Sequence, residues 1–186
     1  MSLNLPAKIV RIHEALRAAG LPHAFGGALA LAFCTAEPRA TKDIDVNVFI
    51  PVDQTAVLLE ALPEEITLTT QARAQLRRDG QARSWWQDTP VDLFLSNHPF
   101  HDRAETNRNA VPFAGIADLP VLACEDLAVF KAFYARPKDA VDIATMVAAG
   151  SVDLSALEDE VSTLLGGPAD RSAFFGRVTD MVGELS

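Results

Sequence analysis

Asp43 and Asp45 stand two positions apart in the run "RATKDIDVNVF", residues 39–49, which is otherwise rich in β-forming types. In a strand, residues two apart share a face and lie roughly 7 Å apart along the chain. Ile44, Val46, Val48 and Ile50 then take the opposite, apolar face. Asp92 repeats the pattern in "PVDLFLS", residues 90–96, between Val91 and Leu93. If the two strands are neighbours, three carboxylates converge. Charges that close repel one another unless some are protonated or a cation intervenes. Hard oxygen donors of this kind suit Mg2+ or Mn2+, which keep several waters and bind substrate phosphates. An Asp-x-Asp pair also arises by chance in a chain this rich in aspartate, so the third acid and its placement carry the argument.

Gly26-Gly27 adds a second feature. The pair falls between a short extended piece, "LPHAF", and an apolar helical run, "ALALAFC". Glycine lets backbone approach a ligand closely, and a helix N-terminus offers unpaired N–H groups to an anion. Carboxylates for a metal beside a turn for phosphate describe a metal-dependent site for a nucleoside triphosphate.

The elements that position these residues follow from periodicity. A helix is predicted over 6–19, with Pro6 in its first turn and Gly20 after its end. A buried helix follows the glycines, and strand 42–50 leads into a helix over 51–62. Shorter β-like pieces are expected at 66–70, 74–78 and 83–86, with Asp79-Gly80 as a hairpin turn. Strands at 90–96 and 111–114 precede helices at 125–135, 137–149, 154–165 and 171–185. The class is therefore α/β (α+β), with an α/β core over residues 1–118 and a C-terminal helical region over 119–186.

The residues "FGGALALAF…PRATKDIDVNVF…VDLF" resemble the nucleotidyltransferase fold of the DNA polymerase β superfamily. That pattern is a Gly-Gly or Gly-Ser pair, a short helix, an acid-x-acid strand, and a third acid on a neighbouring strand. "GGALAL", "RATKDID", "EDLAVFKAF" and "RPKDAVDI" are most similar to the AbiEii/AbiGii-like toxin nucleotidyltransferases. The resemblance spans roughly residues 20–150. It implies a small mixed sheet flanked by helices. It also implies transfer of a nucleoside monophosphate from an NTP to a hydroxyl of RNA or protein, with Mg2+ or Mn2+ as cofactor. Asp43 and Asp45 would hold metal ions on the triphosphate. Asp92 would help hold the second ion and orient or deprotonate the attacking hydroxyl. Gly26, Gly27, Arg39 and Thr41 would contact the nucleotide. Lys131, in "KAFYA", would reach the triphosphate, and Asp139 and Asp142 would face or support the site. As the toxin half of a toxin–antitoxin pair it would have an antitoxin protein as a candidate partner, though none need be invoked for this acidic chain. Relatives that modify aminoglycosides make a small-molecule acceptor the alternative, and a catalytically silent binding module of the same fold is a third.

Several of these residues also have plainer readings. Lys131 borders the apolar face marked by Leu127, Phe130 and Tyr134, where a lysine needs an acid, a phosphate or room to snorkel. Asp139 sits in the first turn after Pro137, where the helix dipole alone favours an acid. Arg39 and Thr41 also suit an ordinary surface loop. His98-x-x-His101 has metal-ligand spacing, but its Pro-containing loop reads better as solvated histidines. Trp85-Trp86 with Arg73, Arg77, Arg78 and Arg83 suits an RNA-stacking surface, although alternation sends one tryptophan into the core.

Composition bounds the rest. The chain has 186 residues, 49% of them apolar, enough for a hydrophobic core. A net charge of −9 disfavours non-specific binding to nucleic acid or an anionic membrane. Cys34 and Cys124 lie far apart with no CxxC and read as buried, reduced thiols, which fits a cytoplasmic protein. No secretory pattern is visible at the start, and no apolar stretch is long enough to span a bilayer.

Overall fold

The structure, a computed structural model, describes residues 3–37, 40–166 and 171–185. Seven strands form one mixed sheet: β1 (His23–Phe25), β2 (Ile44–Pro51), β3 (Ile66–Thr67), β4 (Gln81–Trp86), β5 (Thr89–Ser96), β6 (Asn109–Phe113) and β7 (Ile116–Val121). Their order is β3-β4-β5-β2-β1-β7-β6. β2 runs parallel to β5 and antiparallel to β1, and β1 runs parallel to β7. The α-helices among the described residues are α1 (Leu5–Ala18), α2 (Gly27–Thr35), α3 (Thr55–Ala61), α4 (Thr70–Asp79), α5 (Phe100–Asn107), α6 (Cys124–Tyr134), α7 (Pro137–Ala148), α8 (Leu154–Leu164) and α9 (Ser172–Leu185). The expected α/β class with a small mixed sheet is the observed one.

The chain divides into two compact units, Met1–Leu29 with Ala40–Leu122, and Ala30–Arg39 with Ala123–Ser186. In the first, period-two geometry builds one fully buried face of the sheet. Ile44, Val46 and Val48 of β2 stand in register with Val91, Leu93 and Leu95 of β5, and all are buried. β4 continues that face with Ala82, Ser84 and Trp86. α1 is capped by Asn4, whose side chain accepts from Ala7 N at 3.0 Å, and it buries Ile9, Ile12 and Leu16. Its Lys8 is buried too, and Nζ donates to Trp86 O at 3.1 Å and Thr89 Oγ1 at 2.8 Å.

Three local expectations are corrected. Residues 74–78 belong to a helix, α4, not a strand. Thr69 caps it by accepting from Ala72 N at 3.0 Å, and Gly80 ends it in the left-handed conformation at φ +70°. Only Leu76 is buried along α4, so helix capping outweighs a weak alternation. Asp79-Gly80 is thus a helix stop, and the hairpin turn lies at Gln87 and Asp88, between β4 and β5. The loop expected to hold solvated histidines contains α5: His98 is exposed, but His101 is buried and its Nδ1 lies 3.0 Å from His98 O. β7 has no counterpart among the elements read from the sequence, because Pro120 interrupts its alternation.

In the second unit, the predicted helices form close to their expected limits as α6 to α9. Cys34 and Cys124 are joined in a disulfide with a Cα–Cα distance of 5.5 Å. This overturns the reading as reduced thiols. The two lie 90 residues apart in sequence, and only the fold sets the end of α2 against the start of α6. Disulfides are rare in reducing compartments, so the cysteines no longer argue for a cytoplasmic chain. Among the described residues, no helix is long and apolar enough to cross a membrane.

Candidate active site

On the second face of the sheet, three side chains form a row across three strands. Asp45 of β2 is in register with Asp92 of β5, and Asp92 with Arg83 of β4. Register and alternation therefore aim all three the same way. Arg83 grips Asp92 in a fork, with Nε donating to Oδ1 at 2.8 Å and Nη2 to Oδ2 at 2.7 Å. The same Nη2 lies 3.7 Å from Asp43 Oδ2. The hydrogen bond to Asp92 is the main cause holding the guanidinium firmly in its charged form; burial opposes it, and the charges of Asp92, Asp43 and Asp45 reinforce it. Further along, this face closes over: Asn47 and Phe49 are buried.

The glycines meet this row directly. Gly26 N donates to Asp45 O at 3.0 Å. Gly27 opens α2 at φ +53°, and a Cβ there would overlap Asp45 Oδ2 and lie 2.6 Å from its Cγ. The Asp45 carboxylate thus packs against the N-terminus of α2, where the helix dipole favours negative charge. Only glycine permits both the backbone angle and the approach. Thr41 fixes the entry to β2, its Oγ1 accepting from Asp43 N at 3.2 Å and donating to Asp43 O at 3.3 Å. Arg39 lies outside the described residues.

The donor chemistry fits Mg2+ or Mn2+ in one respect and limits it in another. Asp43 and Asp45 supply hard oxygens on one face, and a positive charge, Arg83, already lies among the three acids. Among the described residues, however, no three His, Cys, Asp or Glu side chains are grouped to hold a metal ion. The third acid is committed to the guanidinium.

Lys131, Asp139 and Asp142 form a cluster within the second unit. Lys131 Nζ donates to Asp142 Oδ2 at 2.7 Å and lies 3.9 Å from Asp139 Oδ1. All three are buried, so Lys131 is paired with acid and does not snorkel. Asp139 also accepts from Arg136 N at 3.0 Å, Nε at 2.7 Å and Nη2 at 3.1 Å, closing the first turn of α7.

No family model matches the chain, and no curated protein does. Solved structures do. The antibiotic-resistance factor ANT(2'')-Ia in solution is 17% identical and superposes with a TM-score of 0.56, covering 96% of this chain and 95% of that one. The crystal structure of ANT(2'')-Ia in complex with adenylyl-2''-tobramycin is 17% identical, with a TM-score of 0.55, over 92% of this chain and 97% of that one. An antigenic nucleotidyltransferase-like protein from Paracoccidioides brasiliensis is 14% identical, with a TM-score of 0.56, over 93% and 92%. This chain has the nucleotidyltransferase fold. At these identities the likeness reaches the fold alone.

Within the nucleotidyltransferase fold, Arg83, grouped in the sequence with candidate RNA-contacting arginines, is paired with Asp92. A usable signal existed. A two-residue turn at Gln87 and Asp88 pairs position 83 with position 92 across the hairpin. Arg73, Arg77 and Arg78 belong instead to α4, and Arg78 pairs with Asp79. Trp86 is buried and Trp85 is exposed, as alternation requires.

Proposed function

We propose that the chain transfers a nucleoside monophosphate from an NTP to an acceptor hydroxyl. The observation that carries this reading is the row Asp45, Asp92 and Arg83, with Asp43 beside it and Gly27 against Asp45. Asp43 and Asp45 would hold Mg2+ or Mn2+, which when bound neutralises the triphosphate and eases departure of pyrophosphate. Gly26, Gly27 and the start of α2 would admit phosphate oxygens to backbone N–H groups. Asp92, held by Arg83, would orient the hydroxyl. Its oxygen bonds to the α-phosphorus, the bond from α-phosphorus to the bridging oxygen breaks, pyrophosphate leaves, and the proton passes to Asp92 or water. Thr41 would position Asp43. Lys131, with Asp139 and Asp142, enters as a triphosphate contact only through the resemblance; Lys131→Met, assayed for NTP binding, tests that part.

The acceptor best supported is a small polycation bearing hydroxyls, of aminoglycoside type. A net charge of −9 and an acidic row draw cations and repel RNA. The superposition on ANT(2'')-Ia, solved with an adenylylated aminoglycoside, runs over nearly the full length of both chains. A macromolecular acceptor, as for a toxin with its antitoxin, is the second reading. It rests on the AbiEii/AbiGii-like segments and on Trp85, exposed on the same face as Arg83.

Incubation with Mg2+ and each labelled NTP in turn, with an aminoglycoside panel, total RNA or the protein alone, separates these readings. Label on a drug, absent with Asp45→Asn, is the expected result. Label on RNA or protein replaces the acceptor with that of the second reading. No label anywhere leaves a binding module and ends the proposal of turnover.

A further inference from the structure

Helix α2 carries the glycine turn at its start and the disulfide near its end. Its first residue, Gly27, lies so close to Asp45 that a Cβ would overlap the carboxylate. Near its last residue, Cys34 is bonded to Cys124, the first residue of α6. α2 has nine residues, fewer than a helix needs to persist by itself in water. The side chains it buries are Ala30, Leu31 and Cys34, so the disulfide is one of its three anchors and the one that is covalent. The bond is approachable from one side: Cys34 is 7% exposed, whereas Cys124 is half-buried. Disulfides that do form in reducing compartments are usually transient and redox-sensing.

We propose that the Cys34–Cys124 disulfide is a redox control on nucleotide binding. Oxidised, it holds α2, and with it the glycine turn, in place for the triphosphate. Reduced, it frees α2, and binding weakens. The inference rests on the nucleotidyltransferase reading above. A dithiol supplies the electrons. One of its thiolates attacks Cys124 Sγ, the S–S bond breaks, and Cys34 leaves as a thiolate and takes a proton. The second thiol of the reagent then displaces Cys124, which takes a proton in turn, and the dithiol departs as a cyclic disulfide. Two electrons and two protons pass to the protein, one of each per cysteine. A nucleotide that binds the reduced chain must also order α2, and the free energy of that ordering is subtracted from its affinity.

The test reads binding and local opening together. Each of the four common ribonucleoside triphosphates, with Mg2+, is titrated calorimetrically into the full chain, oxidised or held in dithiothreitol. The variant carrying Cys34→Ser and Cys124→Ser is treated in the same two ways. Hydrogen exchange over the first minutes, read by mass spectrometry, follows α2, β2 and β5 in each sample. The expected result is a dissociation constant about 5- to 150-fold higher for the reduced wild type, the ordinary range of such couplings. α2 should exchange faster on reduction while β2 and β5 stay protected, and the double variant should match the reduced chain in both buffers. Equal affinities in the two redox states overturn the inference, as does a disulfide that dithiothreitol does not open. Weaker binding with β2 and β5 exchanging as fast as α2 also overturns it, since the whole fold would then be failing. A double variant that still responds to the reductant places the effect elsewhere and overturns it too. No nucleotide bound in either state ends the nucleotidyltransferase reading, and this inference with it, whereas equal affinities end the inference alone.

Discussion

Arg83 and Asp92 face each other across the hairpin of β4 and β5, joined by two hydrogen bonds of 2.8 and 2.7 Å. The arginine side chain is half exposed, so the pair adds little to stability by itself, about 1 kcal/mol or less. Its removal nevertheless leaves Asp43, Asp45 and Asp92 without their shared cation. Arg83→Ala should lower the urea midpoint slightly in high salt and more in low salt, because screening relieves the acids. Equal losses at both ionic strengths would mean that repulsion among the three is unimportant.

Two glycines separate backbone strain from site geometry. Gly20 lies at φ +68° with nothing near its would-be Cβ, so Gly20→Ala should cost about 1 kcal/mol, the ordinary penalty of that conformation. Gly27→Ala carries the same penalty and drives a methyl group into Asp45. It should cost clearly more in urea melts and abolish nucleotidyl transfer. Matching losses for the two variants would show that Asp45 yields without consequence.

His23 gives the fold a dependence on acid. Burial is the main cause that pushes it down from 6.5 to about 4, against a bond from its Nδ1 to Leu21 O at 2.8 Å. Its Nε2 lies 3.0 Å from His13 Nδ1, and burial lowers His13 in the same direction. The folded chain therefore binds fewer protons than the unfolded one between about pH 4 and 6.5. This contribution is complete above pH 6.5 and is lost as pH falls toward 4, on the order of 3 kcal/mol in all. Urea unfolding at pH 7 and pH 5 should show the decline, and His23→Gln should flatten it. An unchanged slope in that variant would assign the effect elsewhere.

Lys131 and Asp142 are buried together at 2.7 Å, so removing either takes away the nearest opposite charge of the other. Asp142→Asn or Lys131→Met should destabilise by about 3–5 kcal/mol, and the double substitution by less than the two losses added together. Chemical denaturation of the three variants reads this coupling. Strict additivity would mean that the two do not depend on each other.

Reduction should weaken the fold. The disulfide closes a span of 90 residues, for which chain entropy predicts about 4–5 kcal/mol. Adding a thiol reductant, or making Cys34→Ser with Cys124→Ser, should lower the thermal midpoint by several degrees. A midpoint that does not move would show that α2 and α6 hold together without the bond.

The sequence by itself determined the strands that carry Asp45 and Asp92, with Asp43 just before the first of them, the glycines before them and the helices from residue 124 onward. These depend on local periodicity, capping and backbone freedom, which neighbouring residues impose on one another. The α/β class followed from that order of elements. Helix α4 was hidden because its sides are nearly all polar, with Leu76 its one buried anchor. Three facts were decided only by tertiary structure: that Asp45, Asp92 and Arg83 share one row, that Cys34 meets Cys124, and that Lys131 ends on Asp142. Each joins residues 9 to 90 positions apart, and strand register or helix packing closes that distance. The pairing of Arg83 with Asp92 shows the difference most clearly. Both charges are plain in the sequence, but whether they meet depends on one turn, and a turn placed eight residues earlier would have sent Arg83 to another partner.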